Sequence, residues 1–366
     1  MSEGLLRPKR SWQRRLRPLI LSGVVLLIVG KIVFLSPSLL EESQSPPKTL
    51  EMSTLVDPDQ HPRASGIPTD KTPDYTIQQF TYLSTHNDEK EWNLNASEAY
   101  LFNALKLVHS KQVKALLYDT DGNTTVVTGD ESKYLMNQRD LEVFGNVVTT
   151  LPDGFVIKSD YMRYRPQQKH VEIPASYAVA GDGQEQGGEH IHFTSQGLEF
   201  DMEKSEIYLP SSVRFTTLRS GPQEEPTTIV SDRCMIYRKK QIAHFTMNPS
   251  RANASRFVEV QQPSTWGKGR RADLNYGTAP ELVQYMTLFE DVSIKDLKKD
   301  PGAAVSAMKY ATGGRADFDS HQNVIVLTEY PQVYQDEDTV TGDKILLHRD
   351  TDIIEVEHSN AFRQGN

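Results

Sequence analysis

The residues with the clearest capacity for chemistry are aspartates that recur at one place in a repeated phrase. Asp130 follows Val127-Thr128-Gly129, Asp160 follows Ile157-Lys158-Ser159, Asp232 follows Ile229-Val230-Ser231 and Asp343 follows Val340-Thr341-Gly342. Two carboxylates a few ångström apart in one cleft would cut glycosidic bonds. A catalytic pair occurs once, whereas a residue repeated in every unit holds a turn or an edge, so these aspartates are assigned to structure. Asp119-Thr120-Asp121-Gly122-Asn123 opens like a calcium loop, but Thr124 stands where the sharp turn needs glycine. An Asp-Gly hairpin turn accounts for it better. His190 and His192 share one strand face as two zinc ligands would, with no third ligand nearby in sequence. Ser306-Ala307-Met308-Lys309 has the serine-lysine acylation spacing without its companion elements. No phosphate loop, dinucleotide fingerprint or nucleophile elbow is present. The sequence therefore reads as a non-enzyme without cofactor or metal.

The elements that carry the aspartates are short alternating strands. In 126–177 the same pattern runs twice: a strand, a polar turn and a second strand, with apolar residues at every other position. It recurs from Phe193, from Ile229 and from Val340, and Arg271-Ala272-Asp273 is matched by Arg315-Ala316-Asp317. Successive copies start about thirty to forty residues apart, one hairpin each. The chain is predicted to be a ladder of β-hairpins, with 99–107 open to either a strand or a helical turn. Residues 181–188 and 220–226 read as loops, 248–255 as an irregular stretch and 295–308 as a charged insertion.

Charge is distributed unevenly. Arg7, Lys9, Arg10, Arg14, Arg15 and Arg17 crowd the first 17 residues, ahead of an apolar run over 18–35 that is about long enough to cross a bilayer. Basic residues before a span keep that end in the cytoplasm. No small-residue cleavage site follows the run, so an uncleaved anchor is favoured over a signal peptide. Residues 36–73, rich in proline and serine, read as a semi-extended tether. Removing those six bases, Lys31 and Glu3 from 40 basic and 49 acidic residues leaves 33 and 48 in the exported part. Such an acidic surface excludes nucleic acid as a partner. The single cysteine, Cys234, excludes an intrachain disulfide.

Counting by twos along each strand defines an apolar interior. It contains Tyr134, Leu141, Val143, Val147, Met162, Tyr164, Val171, Ile173, Leu198, Phe200, Ile207 and Leu209 in the first part, and Phe318, Ile345 and Leu347 in the second. An ordinary sandwich core and an open-ended groove holding acyl chains both satisfy this alternation.

The order of several motifs resembles the LptC family, the membrane-anchored periplasmic component of lipopolysaccharide export. These are the basic tip and anchor, then Trp92-x-Leu94-x-Ala96, Tyr118, Asp121-Gly122, Gly129-Asp130, Gly145-Asn146-Val147, Gly154, Ser159-Asp160, Tyr164 and Gly197-Leu198. The resemblance spans roughly 75–220. Further on, Arg271-Ala272-Asp273, Arg315-Ala316-Asp317 and Thr341-Gly342-Asp343 resemble the OstA/LptA repeat. LptC is little more than half this length, which suggests an LptA-like module fused in cis. The implied architecture is an all-β, twisted open β-jellyroll of stacked hairpins after one transmembrane helix. The expected divisions are 1–17 cytoplasmic tip, 18–35 anchor, 36–73 linker, 74–220 LptC-like jellyroll and 221–366 OstA/LptA-like extension. The resemblance also implies an interior that binds lipid A acyl chains of lipopolysaccharide. Strand-pairing partners would be LptF and LptG of the inner-membrane transporter at one end, and LptA or outer-membrane LptD at the other. A periplasmic scaffold that binds only proteins is the alternative.

Overall fold

The computed structural model describes residues 72–363, apart from 87, 185–189, 219–225, 249–256, 277–283, 297–309, 320–322, 336–337, 350 and 352. The expected tip, anchor and nearly all of the linker lie outside the described residues, as does Ser306 to Lys309. Among the described residues no helix is long and apolar enough to cross a membrane. These residues lie in one compact unit, Val56–Asn366.

Alternating sequence gives strands, and the strands are long at first. They are β1 (Tyr75–His86), β2 (Glu89–Phe102), β3 (Leu107–Tyr118), β4 (Thr124–Leu135), β5 (Asp140–Thr150), β6 (Val156–Arg165), β7 (His170–Gln184) and β8 (His190–Asp201). Each pairs antiparallel with the next. The register shifts near the middle of the later pairs: between Thr128 and Glu131, Phe144 and Val147, Lys158 and Arg163, and Ile173 and Ala178. Inserted residues of this kind bend a strand and increase its twist. Gly145, Asn146 and Gly197 take left-handed conformations at the bends.

Beyond β8 each bend becomes a complete break, and two ladders separate. The first continues from the end of β8 through β9 (Glu206–Leu209), β12 (Arg233–Tyr237), β13 (Ile242–Thr246) and β16 (Arg271–Asn275). It then takes the first half of β17 (Gln284–Asp296), the second half of β18 (Tyr310–Asp319), β19 (Val324–Thr328), β22 (Lys344–His348) and β23 (Ile354–Glu357). The second runs from the start of β8 through β10 (Ser211–Leu218), β11 (Thr227–Ser231), β14 (Val258–Gln261) and β15 (Thr265–Gly269). The other halves of β17 and β18 follow, then β20 (Gln332–Gln335), β21 (Asp338–Thr341) and β24 (Asn360–Arg363). The strands crossing between ladders join them along one side; hairpin tips line the other.

The tips of the first ladder share one design. Their last residues, Lys106, Arg139, Lys169, Ser205, Gln241 and Asn323, all have positive φ. The carbonyl of one such residue accepts a bond from the first backbone N–H of the next tip: Met136 to Lys106 at 2.9 Å, Met202 to Lys169 at 3.0 Å, Arg238 to Ser205 at 3.1 Å and Arg349 to Asn323 at 3.0 Å. The step from Arg139 leads to Pro166, which has no N–H to give. The series breaks there for a chemical reason.

Several expectations meet the structure directly. Asp119 to Asn123 is the β3–β4 turn, with the Asn123 N–H donating to Asp119 Oδ1 at 2.7 Å. Residues 99–107 are strand through Phe102, one 3-10 turn at Asn103–Leu105, then strand again. Residues 181–184, expected as loop, belong to β7, because Gly181 and Gly183 lie flat opposite Phe193 and Ile191. A side chain at Gly181 would meet the Phe193 ring at 2.3 Å, so glycine here serves packing rather than a turn. Lys295 and Asp296, expected to begin an insertion, end β17. The expected division between 220 and 221 falls between β10 and β11, which are hydrogen-bonded to each other.

Candidate functional site

The two ladders enclose a continuous apolar interior. Cross-strand register builds its rows residue by residue. One row in the first ladder runs Val108, Tyr134, Leu141, Tyr164, Val171, Phe200, Ile207 and Ile236. The row continues through Leu274, Met286, Phe318, Ile325, Leu347 and Ile354. Fourteen of the fifteen residues expected to face inward are buried in this cluster: Tyr134, Leu141, Val143, Val147, Met162, Tyr164, Val171, Ile173, Leu198, Phe200, Ile207, Leu209, Phe318 and Ile345. Leu347, the fifteenth, is half-buried and packs against it.

Leu347 stands at an opening. With Ile325 and Ile354 of the first ladder and Ile294 and Ala311 of the second, it lines a small cleft that opens to solvent near the C-terminal end. His348 and Arg349 form its polar rim.

Counting by twos from each aspartate reached little beyond the first ladder. It missed the opposite wall, made by Leu94, Val113, Leu117, Val127, Ile157, Phe193, Phe215 and Ile229. The signal was present as the same alternation upstream of each aspartate, but with its parity changed. Val127, Ile157, Phe193 and Ile229 point inward at odd numbers, whereas Ser132, Met162, Leu198 and Cys234 do so at even numbers. The bends change the count by one, and a one-residue slip reverses every side chain. The walls touch: Phe215 of the second ladder meets Phe245 of the first edge-on, with ring centroids 5.3 Å apart.

The repeated aspartates sit at these bends, apart from one another, with Asp232 buried and Asp130 exposed. Asp130 Oδ2 accepts from the Asn146 side chain at 2.7 Å, and Asp232 Oδ2 accepts from the backbone N–H of Asn248 at 2.8 Å. His190 and His192 both face Asp182, at 3.4 and 3.1 Å. Even so, no group of three or more His, Cys, Asp or Glu among the described residues is placed to hold a metal.

Along the open side, side chains from first-ladder tips reach across to the second ladder or to the β1–β2 hairpin. Arg139 Nη2 donates to Glu91 Oε2 at 2.6 Å, and Ser84 Oγ donates to the same oxygen at 2.9 Å. Lys169 Nζ donates to the Tyr118 carbonyl at 2.9 Å. Arg238 donates to Asp153 while lying over the Phe155 ring. Arg349 Nη2 donates to Ser264 Oγ at 2.8 Å. Beneath the first of these links, Tyr82, Trp92 and Tyr134 pack with centroids 4.9–5.3 Å apart. Burial drives the Tyr134 and Tyr164 phenols far above their ordinary range, so both stay protonated donors.

The family model described as "Lipopolysaccharide-assembly, LptC-related" matches residues 50–219. Residues 50–219, a little under half of the chain, are similar to that family. No match was found among the curated proteins. One similar solved structure is LptH of Pseudomonas aeruginosa, described as the LptA homologous periplasmic component of the conserved lipopolysaccharide transport device. It shares 18% identity with this chain over 38% of this chain and 96% of its own, with a TM-score of 0.32. The matched segment contains β1 to β10, so it includes the bends, the first two tip links and the Tyr82–Trp92–Tyr134 cluster.

Proposed function

We propose that this chain is a non-enzymatic component of lipopolysaccharide transport that carries the lipid's acyl chains between its two ladders. The LptC-related match carries the reading, and the apolar interior, running from β2 to β23, supports it. Burying each methylene is worth about 0.8 kcal/mol, so an interior of this kind needs no charge to hold a multi-chain lipid. An anchor in 18–35 would place the chain at the inner membrane with the ladders in the periplasm.

The ends of the ladders fit the proposed partners. Among the described residues β1 pairs only with β2, β23 only with β22 and β24 only with β21. Tyr75, Ile77 and Leu83 expose apolar surface on β1. Unpaired edges add strands from other chains. In this reading LptF and LptG meet the β1 end, and LptA or LptD meets the other. The region beyond 220, being built on the same two ladders, would lengthen the path in place of a separate LptA.

The test is a photo-crosslinking residue at Tyr164, Phe200 and Leu347 in living cells, with one at Arg163 as control. Arg163 points outward, bonded to Asp140 at 2.5 Å. Lipopolysaccharide adducts at the three interior positions and none at Arg163 are expected. Adducts with protein alone would replace this reading with a scaffold that binds only proteins.

A further inference from the structure

Four polar groups interrupt the apolar interior near its β1 end. Ser110 and Ser132 are cross-strand partners on β3 and β4, and both are fully buried. Trp92 and Tyr164 are also fully buried. Ser110 Oγ, Ser132 Oγ, Trp92 Nε1 and Tyr164 Oη all lack a hydrogen-bond partner. Each such group costs about 1–3 kcal/mol when left unmade. The four are spread over β2 to β6, around Tyr134. Trp92 packs edge-on to Tyr134 at 4.9 Å, Ser132 precedes Tyr134 by two on the same face, and Leu141 links Tyr134 to Tyr164 across β5.

We propose that these four groups form a polar stretch that meets the amide and ester linkages of an acyl-chain amphiphile, and this rests on the acyl-carrying function proposed above. All four can donate, and the indole can do nothing else. The complementary ligand atom is therefore an acceptor. A carbonyl suits the site better than a phosphate, because the nearby Arg139 is already paired with the nearly buried Glu91 carboxylate at 2.6 Å, and that carboxylate lies close to Tyr164. A serine hydroxyl can also accept, so an amide N–H or a chain hydroxyl is matched as well as its carbonyl. Chains without a polar linkage would bind along the apolar rows and leave the four groups unmet. The site thus distinguishes N-acylated or O-acylated sugars from plain alkyl chains.

The experiment uses the full chain in lipid nanodiscs and two photoreactive probes with a diazirine at the chain end: N-tetradecanoyl-glucosamine and tetradecyl glucoside. They share chain length and a neutral hexose headgroup, and differ in the linkage, an amide at C2 in one and a glycosidic oxygen at C1 in the other. Wild type should be cross-linked by both and prefer the amide probe about tenfold, the scale of one or two buried hydrogen bonds. The Ser110→Ala/Ser132→Ala double variant should lose the preference yet keep wild-type reaction with the alkyl probe. Tyr164→Phe, which removes one oxygen from an unchanged ring, should lower the preference in part. Without ligand the double variant should melt at or above the wild-type temperature, since it deletes two unpaired polar atoms. An equal amide preference in wild type and both variants would overturn the subsite while leaving an acyl-binding interior standing. Failure of both probes to react with wild type would overturn the subsite and the acyl-binding interior together.

Discussion

The ammonium of Lys169 donates a 2.9 Å hydrogen bond to the carbonyl of Tyr118, a residue 51 positions earlier on the opposite ladder. It is one of four such links along the open side, and it joins a tip of the first ladder to a tip of the second. Lys169→Met keeps the aliphatic stem and removes the donor. It should cost about 1–2 kcal/mol, the range for a hydrogen bond from a charged group in a half-exposed site. Arg238→Met should cost more, because Arg238 is 10% exposed and also loses its contact with Phe155. Urea unfolding midpoints measure both; equal stability in all three proteins would show that the ladders hold together without the links.

The matched Arg-Ala-Asp triplets frame a single ring. Arg271 and Arg315 are both cross-strand partners of Phe289, with guanidinium centres 4.0 and 5.4 Å from its centroid. Asp317 holds Arg315 through two 2.8 Å bonds and also accepts from Thr287 at 2.8 Å. Exposed cation–π pairs contribute about 0.5–1 kcal/mol each. Phe289→Leu should therefore lower stability by about 1–2 kcal/mol. In the background of Arg271→Gln and Arg315→Gln the same change should cost distinctly less, a coupling that a double-mutant cycle reads directly.

Gly145 and Gly154 separate backbone strain from steric conflict. Both have positive φ, at 76° and 90°. A side chain at Gly154 meets nothing within 4 Å, while one at Gly145 would lie 2.6 Å from Asp130 Oδ2 and 2.9 Å from its Cβ. Gly154→Ala should cost about 1 kcal/mol from conformation alone. Gly145→Ala should cost more, because Asp130 must move and its bond to Asn146 is disturbed. Thermal unfolding of the two variants gives the comparison, and equal shifts would mean that the bend yields to the added methyl.

His109 gives the LptC-related segment a pH dependence. It is fully buried on the outer face of the first ladder, edge-on to Tyr100 and Phe144, with Lys111, Lys133 and Glu131 around it. Burial first, then the two lysines, pulls its pKa from 6.5 down to about 4. Between those values the unfolded chain binds a proton that the folded chain refuses. Stability should therefore fall as pH falls from 6.5 toward 4, with a contribution from this residue of up to about 1.4 kcal/mol per pH unit. His109→Phe should flatten the curve in that window, as denaturant unfolding at pH 7, 6 and 5 would measure.

The hairpin ladder was legible in the sequence because alternation, Asp-Gly turns and repeated tips are local signals. The interior of the first ladder was legible for the same reason, from Tyr134 to Ile345. The second wall was not, since the register shifts that change the parity at Gly129-Asp130 and Ser159-Asp160 depend on how many residues the neighbouring strand inserts opposite them. Nor was the link between Lys169 and Tyr118, which requires knowing which tips face each other. Counting by twos does place Ser132 on the inward face with Tyr134, but nothing marks Ser110, and only pairing the two across β3 and β4 shows them buried together.

Whether a position lies in the filled core or at the open cleft decides how the transport reading should be probed by mutation. Phe200 is 5% exposed within the core cluster, between Val171 and Ile207. Phe200→Asp would remove a large apolar contact and bury a carboxylate, each costing several kcal/mol, so loss of lipid transfer in that variant would report unfolding. Leu347 lines the cleft that opens to solvent and is only half-buried, so an aspartate there can keep its hydration. Leu347→Asp should shift the unfolding midpoint by less than about 1 kcal/mol while placing a charge in the path of an acyl chain. Transfer of lipopolysaccharide past this end of the ladders should drop severalfold, and Leu347→Met should restore it. Undiminished transfer in a folded Leu347→Asp protein would show that the chains leave the interior before reaching the cleft.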